Sequence, residues 1–234
     1  MIEIRKFDKL GHANHGWLDT RHHFSFADYH DPKRMGWGPL RVWNDDEIRG
    51  GSGFPPHSHR DMEIITYVRK GAISHEDHLG HKGRTEAGDI QVMSAGTGIV
   101  HAEYNRETGA TDIFQIWVQP NVQGGQPRWE NRTFPQEARH GRLVAVASGR
   151  PSDSEAVKIQ ADAALLAGTL QPGEEVVHDL APGRSAYLVA ARGTFEINGQ
   201  TVNARDGVAV RDEAQLRIRA VQETEVLLMD LPSA

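Results

Sequence analysis

Two short histidine-centred motifs carry the chemistry of this 234-residue chain. The first is Gly51-Ser52-Gly53-Phe54-Pro55-Pro56-His57-Ser58-His59, and the second is Gly96-Thr97-Gly98-Ile99-Val100-His101-Ala102-Glu103. On extended backbone, residues i and i+2 project to the same face. His57 and His59 therefore point one way together, and so do His101 and Glu103. Two such strands side by side offer three imidazole nitrogens and one carboxylate to a common point, a donor set for one divalent transition metal. Zinc, iron, manganese, cobalt, nickel and copper all accept these donors, and affinity alone does not choose among them. Four protein ligands on a six-coordinate ion leave two positions open, which suits catalysis better than a closed structural site. A lone His-x-His is more often surface decoration or a hydrogen-bonded pair. The pairing of two glycine-flanked elements is what points to a metal.

Composition narrows the setting. There are no cysteines, hence no disulfide framework and no thiolate ligand, so any metal must be held by nitrogen and oxygen. The formal net charge is −6 and no basic run is present, which argues against direct nucleic-acid binding. No apolar stretch approaches the ~18 residues that cross a bilayer. Met1-Ile2-Glu3-Ile4-Arg5-Lys6 lacks the features of a signal peptide. The expectation is a soluble cytoplasmic protein.

The elements that must position the motifs are short runs of β-formers between glycine and Asp/Asn turns. Candidate strands are Leu40 to Trp43, Met62 to Val68, Ile113 to Val118, Leu143 to Ala147, Tyr187 to Val189, Thr194 to Ile197, Leu216 to Ile218 and Val226 to Met229. Ala161 to Leu166 reads as a short helix or a strand. Many short strands, 24 glycines and little helical periodicity predict an all-β sandwich or barrel.

The chain also repeats itself. Tyr67 to Gly71, a turn near Leu79-Gly80, then Ala87-Gly88-Asp89 parallel Tyr187 to Gly193, a turn at Asn198-Gly199, then Arg205-Asp206-Gly207. Two β-barrels packed together are expected: a metal-binding barrel over 1–120, a polar connection over 121–141, and a second barrel over 142–234. Positions in the second half equivalent to His57, His59 and His101 fall on Asp179, Ala181 and Ala220, so the second barrel is expected to lack a metal site. His178 reads as a surface or hydrogen-bonded residue. His75-Glu76-Asp77-His78-Leu79-Gly80-His81 is rich in ligand types but lies on a predicted hairpin, and a solvated hairpin is expected there in preference to a second metal site. Phe54, Met93 and Trp117 could line an apolar cavity or be ordinary core.

These residues closely resemble the cupin superfamily and, within it, the pirin family. The cupin pattern G-x5-H-x-H-x3-E falls on Gly51, His57, His59 and Glu63, and the second pattern on Gly98, His101 and Asn105. The Gly88 to Gly96 spacing is two residues longer than the usual cupin version, a departure that pirins share. The N-terminal stretches Gly11 to Trp17 and His23 to Tyr29 match the pirin signature, as do Phe54-Pro55, Asp61-Met62-Glu63 and Met93 to Ile99. The likeness is specific over roughly residues 1–120 and weaker beyond. Within the signature, His12, His15, His22, His23 and His30 are expected to hydrogen-bond, and Trp17, Phe24, Phe26 and Tyr29 to cover the barrel.

The resemblance carries several implications. The fold would be a bicupin of two jelly-roll barrels. Cupins generally use the first-motif glutamate, here Glu63, whereas pirins use the one after the second histidine, here Glu103. The pirin pattern makes Glu103 the ligand and leaves Glu63 to orient an imidazole or to serve as a polar strand residue. Fe(II) is the implied metal, with Zn, Ni, Mn, Co or Cu able to use the same donors. The implied activity is quercetin 2,3-dioxygenase, in which a flavonol and O2 react at the metal, Glu103 accepts the flavonol 3-hydroxyl proton, and carbon monoxide is released. The alternatives are a metal-dependent redox sensor acting through protein partners, and a cupin oxygenase or isomerase with another small substrate.

Overall fold

A computed structural model describes residues 1–233. Ala234, the last residue of the expected second barrel, lies outside the described residues. The chain forms two β-barrels of the same plan, each a seven-stranded sheet facing a four-stranded one. In the first half the large sheet runs Arg128–Arg132, Ile90–Ser94, Glu63–Lys70, Thr111–Val118, Leu40–Ile48, Leu18–His22 and Gly11–Asn14. Its small sheet runs Gly53–His59, Ile99–Tyr104, Ala72–Asp77 and Lys82–Glu86. In the second half, Arg184–Arg192, Gly207–Val210, Thr224–Pro232 and Ala164–Leu170 take the central places of the large sheet. Every predicted strand is found, and the Ala161 to Leu166 stretch resolves into the strand Ala164–Leu170.

The expected duplication extends to individual turns. Gly71 and Gly193 end equivalent strands with φ of +73° and +81°. A Cβ on Gly71 would lie 2.5 Å from Thr111 Oγ1, and one on Gly193 would lie 2.6 Å from Thr224 Oγ1. Both threonines open the neighbouring strand, so only glycine fits the backbone and the space at either place. Asn198 and Gly199, φ +47° and +80°, form the expected tight hairpin.

Two pairings cross the expected boundaries. Ile2–Arg5, from the N-terminus, pairs antiparallel with Gly207–Val210 in the second barrel. Arg128–Arg132, within the expected connection, pairs with Ile90–Ser94 in the first. Each strand fills the same edge position, so each barrel is completed by a strand lying outside its repeated unit.

The alternation of the strands sorts the side chains into layers. Along Thr111–Val118, Phe114, Ile116 and Val118 join Trp43, Tyr67, Tyr187 and Leu227 in the apolar core between the two large sheets. Full burial of side chains of this size stabilises by about 1.5–3 kcal/mol each. Ion pairs add to the junction. The buried Asp45 accepts from Arg205 Nε at 2.5 Å and Nη2 at 3.0 Å, and also from Arg69. The interior of the second barrel is filled by Leu188, Phe195, Ile197, Val202, Leu216 and Ile218. The first barrel differs. Apolar clusters around Ile48 and Ile113, and around Ile64 and Met93, bracket a polar layer of Thr66, His75, Gln91, His101, Glu103 and Gln115.

Candidate metal centre

Gly53–His59 is an edge strand, paired only with Ile99–Tyr104. An edge tolerates Pro55 and Pro56, which cannot donate to a sheet ladder. His101 pairs with His57 and Glu103 with Phe54, so Pro55 and Pro56 together oppose Ala102 in a β-bulge. The bulge resets the alternation, and Phe54 is brought to the same face as His57 and His59.

The three histidines converge. Nitrogens of His57, His59 and His101 lie within 4.8 Å of one another, and Nε2 of His57 is 3.1 Å from Nε2 of His101. Two nitrogens each about 2.1 Å from one ion and at right angles across it stand about 3 Å apart, so the pair fits a metal. Nδ1 of His57 lies 2.7 Å from the Pro55 carbonyl, which only accepts; the proton is therefore on Nδ1, leaving Nε2 free to donate its lone pair. Burial, then the charge of His57, lowers the His59 pKa to about 4. Burial, followed by His57, His59 and His75, lowers that of His101 to about 2. These imidazoles are neutral near pH 7, the form that binds metals.

Glu103 faces the same interior but is held by amides. Its Oε2 accepts from Gln115 Nε2 at 3.0 Å, and its Oε1 from Gln91 Nε2 and, at 3.5 Å, from Thr66 Oγ1. Its carboxylate groups with His101 and His75, within 4.8 Å, and not with the full set of three histidines. Burial, then the neighbouring Asp46 carboxylate, raises its pKa to about 7 against the pull of those three hydrogen bonds. Glu63 is buried on the opposite face of its strand, the one that Ile65 and Tyr67 turn to the junction between the barrels, where its Oε2 accepts from Ser94 at 2.7 Å; it does not join the histidines.

The hairpin at 75–81 departs from expectation. Its residues divide between two faces: His75 and Asp77 are 2% and 7% exposed and face the barrel interior, while Glu76 and the tip at 78–80 are exposed. Strand alternation carries them inward before the chain turns, and His75 stacks on Trp129 with ring centroids 4.8 Å apart. The His-x-Asp spacing was the signal for this inward-facing pair.

Aromatic residues close the surroundings. Trp117 packs edge-on against His59 at 4.9 Å, and Phe26 against Trp117 at 5.5 Å. Met93 packs in the cluster with Ile64 and Ile99. A cavity of about 330 Å³, lined by Phe26, Tyr29, Asn44, Asp46, Phe54 and Gln115 among others, adjoins the centre. The three histidines are not in its wall; Gln115, bonded to Glu103, and Phe54, beside His57, connect the two. Of the signature histidines, His12 bonds Asp19, His22 bonds Asn44 and His23 bonds Tyr187, each at 2.9 Å, while His15 and His30 are exposed. Phe24 is buried in the junction between barrels instead of covering the first. His178 bonds Asp230 at 2.8 Å.

Known proteins share this fold. A profile described as Pirin matches residues 3–118, and one described as Quercetinase C-terminal cupin domain matches residues 145–231. The crystal structure of the bacterial pirin YhhW of Escherichia coli in complex with nickel(II) superimposes with a TM-score of 0.94 at 42% identity, covering 100% of both chains. The chain belongs to the pirin family. This pirin is a bicupin. It is 63% identical over 231 residues, 99% of this chain and 100% of the relative, to a Pseudomonas aeruginosa protein named "Putative quercetin 2,3-dioxygenase". It is 44% identical over 233 residues, 99% of each chain, to the quercetin 2,3-dioxygenase of Escherichia coli K12. Among the described residues, no helix of this pirin is long and apolar enough to cross a membrane.

Proposed function

We propose that this pirin is a metal-dependent dioxygenase that cleaves a flavonol such as quercetin with O2 and releases carbon monoxide. The observation that carries the reading is the convergence of His57, His59 and His101 beside an aromatic-lined cavity. The quercetin 2,3-dioxygenase names of two relatives support it. The metal would be held by those three histidines with Glu103 as fourth ligand, one domain (1–120) carrying the site and a second (142–234) completing the molecule. Iron(II) is the proposed ion, and nickel(II), present in the YhhW complex, fits the same donors. When bound, such an ion supplies Lewis acidity toward the flavonol 3-hydroxyl and lowers its pKa.

The chain's own residues do the rest. Phe26, Tyr29 and Phe54 offer flat apolar walls to the flavonol rings, and Asn44 and Asp46 offer polar partners to its outer hydroxyls. At about 330 Å³ the cavity lies at the small end of the range for compact ligands. Glu103 accepts the 3-hydroxyl proton, its carboxylate aimed by the amides of Gln91 and Gln115. Trp117, against His59, excludes water from the reacting oxygen.

The test is an assay of metal-reconstituted protein with quercetin, first anaerobic and then oxygenated, following flavonol absorbance. Saturable, O2-dependent turnover is expected. Turnover no better than that of the free metal ion contradicts the proposal and favours a protein-partnered regulator or another small substrate.

A further inference from the structure

The strand Ala72–Asp77 runs beside Ile99–Tyr104, with Asp77 opposite His101 and His75 opposite Glu103. His101 turns Nε2 toward His57 and Nδ1 toward His75, whose own Nδ1 is 3.4 Å away. The other nitrogen of His75, Nε2, lies 3.0 Å from Asp77 Oδ2. Asp77 is tied in turn by the backbone N–H groups of Leu79 at 2.9 Å and His81 at 3.1 Å, both on Oδ1, and by His81 Nδ1 at 2.9 Å on Oδ2. Trp129 holds the plane of the His75 ring, 9° from parallel.

With Asp77 ionised and both imidazoles neutral, one proton arrangement satisfies this chain of groups. A carboxylate only accepts, so His75 donates through Nε2–H. Its Nδ1 is then bare and must accept, so His101 donates through Nδ1–H. That leaves Nε2 of His101 unprotonated on the side of His57.

We infer that Asp77 and His75 form a hydrogen-bonded relay that sets the tautomer of His101 and makes its Nε2 the metal donor. They are positioning residues, and the inference rests on His101 being a ligand in the proposed function. The mechanism is the one by which an outer carboxylate fixes the ring and raises the basicity of a metal-bound imidazole. His57 is oriented differently, by a main-chain carbonyl. His101, unlike His57, thus has its donor strength set through a side-chain relay.

Asp77→Asn inverts the relay. The two backbone N–H groups keep the amide oxygen at the Oδ1 position, so the NH2 faces His75 Nε2 and pushes the His75 proton to Nδ1. His101 must then carry its proton on Nε2. The experiment records histidine ring 15N spectra of the metal-free protein and titrates zinc(II) against a chromophoric competitor. Expected are an Nδ1–H tautomer for His101 in the wild type, an Nε2–H tautomer in Asp77→Asn, and zinc affinity lower by about 10–100-fold. His75→Phe, which retains the ring stack but accepts nothing, should lose a similar factor. His75→Gln, which offers a carbonyl to His101, should stay within a few-fold of wild type. An Nε2–H tautomer in the wild type, or unchanged affinity in both Asp77→Asn and His75→Phe, overturns the relay. Full zinc retention by His101→Ala overturns the ligand assignment instead, while the tautomer spectra still report on the relay.

Discussion

Nε2 of His57 stands 3.1 Å from Nε2 of His101 across two paired strands, and each ring has its other nitrogen already engaged, by the Pro55 carbonyl and by His75. Two lone pairs are thereby aimed at each other at a partly buried site, an arrangement that repels unless a cation lies between them. A cation held between the two nitrogens would relieve that repulsion.

Removing both residues should abolish binding without unfolding the chain. His57→Ala combined with His101→Ala is expected to drop bound metal from about one per chain to near zero by elemental analysis. In the wild type, free metal at about 100 times Kd contributes about 2.7 kcal/mol, roughly 5–10 °C in Tm for a chain of this size. The double variant should show no such rise. A metal-dependent Tm in that variant would place the ion elsewhere.

Glu103→Gln separates ligation from proton transfer. The amide can still accept from Gln91 or Gln115 but binds a cation weakly and takes no proton. We expect kcat to fall by about 10²–10⁴-fold, the usual worth of a general base, with the metal restored at saturating concentration. Turnover near wild type with full metal content would remove Glu103 from the proposed mechanism.

The metal-free protein should have an unusual pH dependence from Asp46. Burial, opposed in part by the Thr20 hydrogen bond, raises its pKa to about 7, against about 3.9 in an unfolded chain. The fold therefore favours the neutral acid, and between those values the unfolded state ionises first. Wild-type stability contributed here is intact below about pH 4 and is lost as pH rises toward about 7. Asp46→Asn should show a smaller decline between pH 5 and pH 8 in urea titrations, with Glu103, whose pKa is likewise raised to about 7, supplying what remains. A parallel decline in both proteins would contradict the assignment.

Asp45 should matter more to stability than any exposed ion pair. Asp45→Ala strands the Arg69 and Arg205 guanidinium groups at the junction of the barrels. Breaking a buried pair costs about 3–5 kcal/mol, and the low end applies because Arg205 is 35% exposed. Glu223→Gln, which removes a solvated partner of Arg192, should change the unfolding free energy by under about 1 kcal/mol. Equal effects would show that the junction gains nothing from Asp45.

Much of this was legible in the sequence because it depends on period two. The His57/His59 and His101/Glu103 spacings, the strand runs and the Gly71/Gly193 repeat are local patterns. What stayed hidden depends on long-range pairing. No local signal tells that Ile2–Arg5 completes the second barrel, or that Phe24 lies between the two barrels. The segment 75–81 reads as a polar hairpin because its tip is polar, yet His75 and Asp77 line the interior. Glu103 is steered by Thr66, Gln91 and Gln115 from three different strands. The bulge at Pro55 and Pro56 is readable as an interruption, but its effect on Phe54 requires the partner strand.

The most direct measurement of the central claim is the carbon monoxide formed per flavonol consumed in oxygenated buffer. Metal-loaded wild type should release one carbon monoxide per quercetin, with saturation in quercetin, and the His57→Ala/His101→Ala double variant given the same metal should match the free ion. Wild type that consumes quercetin no faster than the free ion, or without releasing carbon monoxide, would contradict the account.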